Sequence, residues 1–248
     1  LGAGQSIAGP NVALNTIVAE SLDYIATHLE NAVKAGKDLN AEIQTLLPKL
    51  ISESKKVIFN GDNYSEEWHA EAERRGLPNR RNTVDSIPDL ISPKSIELFS
   101  KYGVLSEREL KSRYEILLEG YKKTIAIESQ LTLQIGRRMI LPAALRYQGE
   151  IAQSIAAVKS AGAAPSKSEV ALLDDLSATI NDLMTRCDEL AKVIDHHAEG
   201  DTLAHAKYSR DVIIPAMNAV RVAGDKMETM IADDLWPLPT YQEMLFMK

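Results

Sequence analysis

A sustained heptad pattern in the last third of the chain constrains the fold most strongly. Residues at alternating spacings of three and four form one helical seam: Leu173, Leu176, Ile180, Leu183, Cys187, Leu190, Ile194 and His197. Such spacing puts every member on one side of an α-helix, where it packs against neighbouring helices. The same alternation returns at Ile213, Met217, Val220, Gly224, Met227 and Ile231. These two stretches predict two long helices that share a core.

A third long helical pattern precedes these two. Ser106 and Glu109 have the spacing of a capping box, which predicts a helix start. The pattern reaches about residue 160, with a bend predicted near Ile140 to Pro142 because proline lacks a backbone donor. Short turns join the three helices, so residues 106–235 are predicted to form an antiparallel bundle.

Two further helices are predicted at the N-terminus. The first covers residues 10–35, opening on a proline and followed by a glycine. Asp38 caps the second, which reaches about Val57 and which Pro48 should kink or divide.

Residues 59–105 are predicted to form a lobe of short helices. One begins at Ser65 and ends at Gly76, and another begins at Ser92 and ends at Gly103. The lobe should pack on itself because it carries apolar side chains that need burial, namely Phe59, Tyr64, Trp68, Leu77, Leu98, Phe99 and Tyr102.

The closing residues 236–248 contain two prolines, which predict an extended tail. The tail is expected to dock on the bundle or on a partner because it is rich in large apolar side chains, namely Trp236, Leu238, Tyr241, Leu245 and Phe246.

Composition places the chain among soluble, cytoplasmic, all-α proteins. The 248 residues carry a formal charge of −7, which disfavours nucleic-acid binding. The longest apolar runs, such as residues 139–145, are too short to span a membrane, and the N-terminal residues lack the features of a signal peptide. A single cysteine, Cys187, excludes an internal disulfide and a multi-cysteine zinc site.

Candidate metal ligands are sparse. His196, His197, Glu199, Asp201 and His205 surround one predicted turn, yet adjacent histidines on a helix point about 100° apart. The alternative interpretation is that His197 lies at the seam edge and the others are solvated near a helix end. Elsewhere, Glu66 and His69 have the spacing found in di-iron bundles, but without the second copy that such centres need. The loop at residues 60–67 resembles a calcium loop only in composition, and a turn leading into the Ser65 cap is the alternative.

Nucleotide and nucleophile motifs are also weak. Gly2-Ala3-Gly4 followed by Gly9 is the nearest approach to a phosphate loop, and a tight turn is the alternative. Burial on the seam should raise the pKa of the Cys187 thiol and leave it inert. Three arginine pairs, at 74–75, 80–81 and 137–138, are expected on solvated faces or at acidic partners, with a nucleotide clamp as the other possibility. From the residues alone, we predict a helical interaction or assembly module without catalytic, cofactor-binding or metal-binding residues.

Several collinear segments resemble a known family. They are residues 5–25 (QSIAGPNVALNTIVAESLDYI), 57–69 (VIFNGDNYSEEWH), 101–115 (KYGVLSERELKSRYE), 140–144 (ILPAA) and 234–246 (DLWPLPTYQEMLF). In this order they resemble the C-terminal region of type III glutamine synthetases.

The resemblance implies a parent enzyme that makes glutamine from glutamate, ammonia and ATP with Mg²⁺ or Mn²⁺, and that works as an oligomer. Residues 1–35 would be the tail end of its catalytic domain, and 36–248 its C-terminal helical domain. The family's metal-binding and substrate-binding residues lie upstream of the matched segments, so the resemblance assigns no catalytic residue here and implies that this chain alone is inactive. A free-standing helical scaffold related by descent is the alternative, and a metal-dependent bundle enzyme is a third.

Overall fold

The computed structural model describes residues 6–196 and 200–246, and within these ranges it contains helices and no strand. The α-helices are α1 (Ala8–Lys34), α2 (Leu39–Ser54), α3 (Glu66–Arg74), α4 (Thr83–Ser86), α5 (Pro93–Lys101), α6 (Glu107–Ile135), α7 (Leu141–Ser160), α8 (Lys167–Asp195), α9 (Thr202–Tyr208), α10 (Ile214–Glu228) and α11 (Tyr241–Leu245). The predicted all-α class is therefore confirmed. The chain divides into two compact units, residues 1–116 and 117–248, with the division inside α6.

Side-chain caps fix the predicted helix starts. The Asp38 carboxylate accepts a hydrogen bond from the Ala41 N–H at 2.9 Å, and the Ser65 and Ser92 hydroxyls cap α3 and α5 in the same way. At Ser106, the backbone N–H donates to the Glu109 carboxylate at 2.8 Å. These bonds satisfy backbone donors that the first helical turn leaves free.

The predicted ends of α1, α3 and α5 are also confirmed. After α1, Gly36 has φ of +80°, and the next N–H, that of Lys37, donates to the Ala32 carbonyl. This is the Schellman arrangement, which requires a left-handed residue and so favours glycine.

The second unit is built around α8, whose predicted seam is buried in its middle and half-buried at Leu173 and Ile194. Residues of α8 at 176, 180, 183, 187 and 190 form one core with side chains from α7 and α10. Two side-chain pairs give the direction of α7 and of the turn that leads into it against α8, since Arg137 in the turn pairs with Asp188 and Gln148 in α7 with Ser177. As the residue number rises from 137 to 148, the number of the partner in α8 falls from 188 to 177, so the two helices are antiparallel.

The third helix of the bundle, α10, also packs against α8. Tyr208 donates to the Val193 carbonyl, and Thr179 contacts Met230. As the residue number rises from 208 to 230, the number of the partner in α8 falls from 193 to 179, so α10 is antiparallel to α8 as well. The predicted antiparallel arrangement is therefore confirmed for α8 with each of its neighbours, with His197 of the predicted seam outside the described residues.

Two π turns interrupt the long helices, each directly before a proline. Residues Gly136–Ile140 form the first, where the Leu141 N–H donates to the Gly136 carbonyl. Residues Ser209–Ile213 form the second, ahead of Pro215. Proline lacks a donor and clashes with the carbonyl four residues earlier, and a wide turn accommodates both problems. The irregularity predicted near Pro142 is therefore a π turn, whereas the one near Pro215 was not predicted.

Several predicted boundaries are wrong. The first helix starts at Ala8, two residues before Pro10. Pro48 does not divide α2, which ends at Ser54 and is followed by a 3₁₀ turn at Lys55–Val57. The polar stretch after Gly76 contains the unpredicted helix α4 and a 3₁₀ turn, Ile87–Ile91. Their side chains at Val84 and Ile87 are buried and supply local packing that the polar sequence hid.

The burial predictions hold only in part. Phe99 is buried, and the other predicted lobe side chains are half-buried, except Tyr64, which is 94% exposed at a loop tip. The tail is not extended throughout, because Thr240 and Glu243 form a capping box that starts α11. Trp236 and Leu238 do pack against the core of the second unit, as predicted.

Candidate functional site

The histidines and acids around residue 200 do not assemble a ligand set. His196 packs its ring on Tyr208 at a centroid distance of 5.3 Å, and the Asp201 carboxylate caps α9 through the Ala204 N–H. His205 is half-buried in α9, and His197 and Glu199 lie outside the described residues. Among the residues that the structure describes, no three His, Cys, Asp or Glu side chains are close enough to hold a metal ion.

The two other candidate metal sites serve local structure. Glu66 forms an ion pair with Arg81 at 3.1 Å, while His69 lies half-buried on α3. In the adjacent loop, the Asp62 carboxylate accepts from the Tyr64 N–H at 2.9 Å, and the Ser65 hydroxyl donates to the Asp62 carbonyl at 2.7 Å. These bonds build the turn into the Ser65 cap, which was the alternative interpretation.

Cys187 is a core residue. It is 2% exposed, and burial is the main cause that raises the pKa of its thiol. A Cβ on Gly136 would lie 2.8 Å from its sulfur, so α8 and the first π turn approach closely at this point. Burial and a raised pKa both suppress the reactive thiolate.

Arg75 braces the short-helix lobe. Its guanidinium donates to the backbone carbonyls of Lys56 and Ile58 at 3.0 and 2.7 Å, and to the Glu71 carboxylate. It also lies 5.6 Å from the centre of the Trp68 ring. Hydrogen bonds from Arg74 and then Arg75 lower the pKa of Glu71 to about 2. A guanidinium with this many protein partners has a structural role.

The other arginine pairs are mostly in surface ion pairs. Arg80 makes two hydrogen bonds to Asp89, and Arg137 binds Asp188 at 2.6 Å. Arg138 is exposed. The pairs are thus dispersed over solvated faces. Gly9 lies within α1, and Gly2 and Gly4 fall outside the described residues.

A cluster that the sequence did not reveal joins α1 to α5. The Tyr102 hydroxyl donates to Glu20 and Asp23, and the Lys101 ammonium lies 2.8 Å from the Glu20 carboxylate. These hydrogen bonds lower the pKa of both carboxyl groups, led by Lys101 at Glu20 and by Tyr102 at Asp23, and they raise the pKa of Lys101. About eighty positions separate the partners, which is why spacing rules could not predict the cluster.

The opposite side of α1 is apolar and exposed. Leu14, Val18 and Leu22 are 58%, 49% and 61% exposed and lie one turn apart on one stripe. The same stripe continues toward the C-terminus as Ile25 and Leu29, which are half-buried, and α2 packs against α1. The N-terminal half of this stripe is therefore an apolar surface without a cover among the described residues. We call Leu14, Val18 and Leu22 the α1 stripe.

A groove in the second unit is the other apolar surface. Its volume is about 400 Å³, and it lies between the first π turn, α10 and the tail. Its walls include Ile135, Ile140, Val220, Trp236, Leu238 and Met244, with Thr132, Arg221, Asp225 and Glu228 also lining it. Gly224 lets the walls approach, since a Cβ there would lie 3.3 Å from Ile140. We call this concavity the tail groove.

The end of the tail projects beside the tail groove. Met244, Leu245 and Phe246 are 52%, 78% and 75% exposed, and Met244 itself lines the groove. Trp236 anchors the other end of the tail, although its buried indole N–H has no hydrogen-bond partner in the described part of the chain. An apolar concavity and an apolar projection thus adjoin each other. The sequence predicted a docked tail but not its division into a buried and an exposed half.

Comparison with known proteins gives a family match for part of the chain. Residues 42–159 match the family described as the glutamine synthetase C-terminal domain. The match lies within the part of the chain whose segments resemble that family.

The relatives that the chain matches are glutamine synthetases, one of them named as type 3. The chain is 32% identical over 257 aligned residues to the type-3 glutamine synthetase of Dictyostelium discoideum, with all of the chain and 34% of the relative covered. It is 34% identical to the glutamine synthetase of Butyrivibrio fibrisolvens, covering 86% of the chain and 31% of the relative. That of Bacteroides fragilis is 27% identical, covering all of the chain and 35% of the relative. The chain spans about a third of the length of these curated relatives, and it matches the C-terminal part of type-3 glutamine synthetases.

None of the helices in the described ranges has the length and apolar character needed to cross a membrane.

Proposed function

We propose that this chain is the C-terminal helical part of a type-3 glutamine synthetase and that its role there is structural. The parent enzyme would join ammonia to the γ-carboxylate of glutamate through ATP-dependent phosphorylation, with Mg²⁺ or Mn²⁺ neutralising phosphate charge. The chain would act in the cytoplasm, within a homo-oligomer, as an appendage that supports assembly.

The catalytic groups belong to the upstream polypeptide in this proposal. The described residues lack a set of three ligating side chains that fits a divalent cation, and two of the candidate acids have other roles, since Asp201 caps α9 and Glu66 pairs with Arg81. We therefore assign no catalytic, cofactor-binding or metal-binding residue to this chain. Binding and chemistry would occur on the two thirds of the relatives that this chain does not span.

The α1 stripe is the observation that carries the proposal. Residues 1–35 would be the tail end of the catalytic domain, and the exposed stripe would pack against that domain. Full burial of a Leu or Val stabilises by about 1.5–3 kcal/mol. Burying the exposed half of Leu14, Val18 and Leu22 would then contribute about 3 kcal/mol in total, or an affinity change of about 100-fold.

The test uses the chain alone and the chain together with the polypeptide encoded directly upstream of Leu1. The chain alone should form no glutamine with Mg²⁺, ATP, glutamate and ammonia, whereas the two parts together should form it. Replacing Leu14, Val18 and Leu22 with Asp should abolish both association and glutamine formation. Ala19→Asp is the matched control, because it adds a charge to the same helix at an exposed position off the stripe.

Two results would overturn the proposal. One is glutamine formation by the isolated chain, and the other is full association and activity with the three Asp substitutions in place. The upstream coding sequence separates this proposal from a free-standing scaffold: a Phe-Glu-Phe-Arg-like strand ending at Leu1 supports the synthetase, and a start codon there supports the scaffold.

A further inference from the structure

We propose that Tyr102, together with Lys101, positions α1 so that the α1 stripe faces the catalytic polypeptide. These two residues lie at the C-terminal end of α5 and bind Glu20 and Asp23 of α1. We call the four side chains the α1–α5 cluster. Tyr102 would be a positioning residue, which acts on glutamine formation through α1 and touches no reactant. The inference rests on the proposed function, and it concerns only the unit formed by residues 1–116.

The α1–α5 cluster and the α1 stripe lie on opposite sides of the same stretch of α1. At about 100° per residue, Leu14 and Leu22 lie about 40° on either side of Val18. By the same count, Asp23 and Glu20 lie about 140° and about 200° around the helix from Val18. The contacts that hold the cluster side in place therefore also set the direction in which the stripe faces.

The contacts of the cluster resist rotation of α1 about its own axis. The Tyr102 hydroxyl lies 2.8 Å from the Asp23 carboxylate and also within hydrogen-bond distance of Glu20. The Lys101 ammonium lies 2.8 Å from the Glu20 carboxylate and 3.3 Å from that of Asp23. The two acids are one helical turn apart, so α5 holds α1 at two points.

A second attachment of α1 lies further along the helix. In its C-terminal half, His28 pairs with Glu42 of α2 at 2.8 Å. The α1 stripe lies within residues 14–22, at the level of the α1–α5 cluster and not of this second contact. Thr16, on the cluster side, is buried. Losing the cluster would therefore loosen mainly the half of α1 that carries the stripe.

A looser α1 would bind its partner more weakly. The apparent affinity falls in proportion to the population of the conformation that can bind. Hydrogen bonds to charged acceptors are stronger than neutral ones, but solvent screens this cluster, in which the side chains of Glu20 and Lys101 are 40% and 49% exposed. We therefore expect loss of the Tyr102 hydroxyl to weaken association by about 3- to 10-fold.

The test measures two quantities: the affinity of the full 248-residue chain for the polypeptide encoded directly upstream of Leu1, and the rate of glutamine formation by the two together. Tyr102→Phe keeps the ring, removes the hydroxyl and should raise the dissociation constant by about 3- to 10-fold. The maximal rate at saturating upstream polypeptide should stay unchanged, because Tyr102 touches no reactant. Tyr147→Phe is the matched control, since it removes the hydroxyl of a half-buried tyrosine in the second unit.

A double-mutant cycle separates the positioning of α1 from a general effect on the fold. Glu20→Ala combined with Asp23→Ala removes both acceptors and should weaken association at least as much as Tyr102→Phe. Adding Tyr102→Phe to that background should cause little further loss, because both carboxylates that the hydroxyl binds are gone. A merely structural role of the hydroxyl would instead lower the affinity equally in both backgrounds. Circular dichroism should show the same helix content in all variants, which excludes unfolding as the cause.

Three results would overturn the inference: unchanged affinity of Tyr102→Phe, equal weakening by Tyr147→Phe, or equal effects of Tyr102→Phe in the two backgrounds. Each of these leaves the proposed function standing as long as Asp at the three stripe positions abolishes association. Full association with those Asp substitutions in place would overturn the proposed function itself, so the two failures are distinguishable.

Discussion

The close approach of Gly136 to Cys187 gives the sharpest stability prediction. A Cβ at position 136 would lie 2.8 Å from the Cys187 sulfur and 3.4 Å from Val220, inside the core of the second unit. Overpacking a core costs about 1–3 kcal/mol, while replacing a helical Gly with Ala gains about 1 kcal/mol. Gly136→Ala should therefore lower the free energy of unfolding by about 0–2 kcal/mol in the unaltered chain.

The result should reverse once the sulfur is removed. In a Cys187→Ala background, the added methyl group has room, so Gly136→Ala should raise the free energy of unfolding by up to about 1 kcal/mol. The predicted interaction energy of this double-mutant cycle is about 1–3 kcal/mol, well above the value expected of independent sites.

Urea denaturation followed by tryptophan fluorescence measures the cycle. A Trp68→Phe background leaves Trp236, which packs on the core of the second unit, as the reporter. Gly149→Ala is the matched control, since nothing lies within 4 Å of a Cβ there, and it should stabilise by up to about 1 kcal/mol in both backgrounds. Equal effects of Gly136→Ala in the two backgrounds would refute the packing argument.

Three further predictions concern local interactions. Arg75→Ala should lower the free energy of unfolding of the first unit by about 1–3 kcal/mol, because it removes hydrogen bonds to two backbone carbonyls. The side chain of Arg74 is 73% exposed, so Arg74→Ala should change the unfolding of this unit, followed by Trp68 fluorescence, far less. The hydrogen bonds that lower the pKa of Glu71 stabilise the fold fully above its ordinary pKa of 4.5, and this contribution should be lost as the pH falls toward about 2. Glu71→Gln should flatten that part of the dependence of the unfolding free energy on pH, measured by acid titration. An unchanged slope would contradict the assignment of this pH dependence to Glu71. Ser166→Ala removes half of the capping box that starts α8 and should lower the free energy of unfolding by about 1 kcal/mol, measured by urea titration. An unchanged free energy of unfolding would mean that the cap is dispensable.

Helix starts and ends were predictable because the chemistry that sets them is local. Asp38, Ser65 and Ser92 satisfy donors three residues away, and Gly36 supplies a conformation that other residues avoid. The α8 seam was predictable for a similar reason, since periodicity alone decides which side of a long helix is buried. The capping box at Ser166 and the π turn before Pro215 have equally local causes, but neither was predicted.

Features that depend on distant residues were not predictable. Tyr64 was expected to be buried for its size, yet the hydrogen bonds of its turn leave it at a loop tip. The tail groove needs Gly224 and Ile140 to approach each other, and nothing in either local sequence gives that contact. The α1 stripe was recognised as helical, whereas its exposure depends on which neighbours are present in three dimensions.

The two π turns change how insertions and deletions in these helices should be interpreted. Each contains one residue more than regular winding would need, so losing one residue from Gly136–Ile140 could restore an ordinary α-helix. Everything downstream would then keep nearly the same rotational phase, because the wide turn already accommodates the extra residue, and the buried Ala143 and Ala144 would still face the core. A one-residue gap aligned to this place would therefore leave the inward-facing positions of α7 unchanged, whereas the same gap within the regular part of α7 would rotate the following residues by about 100°.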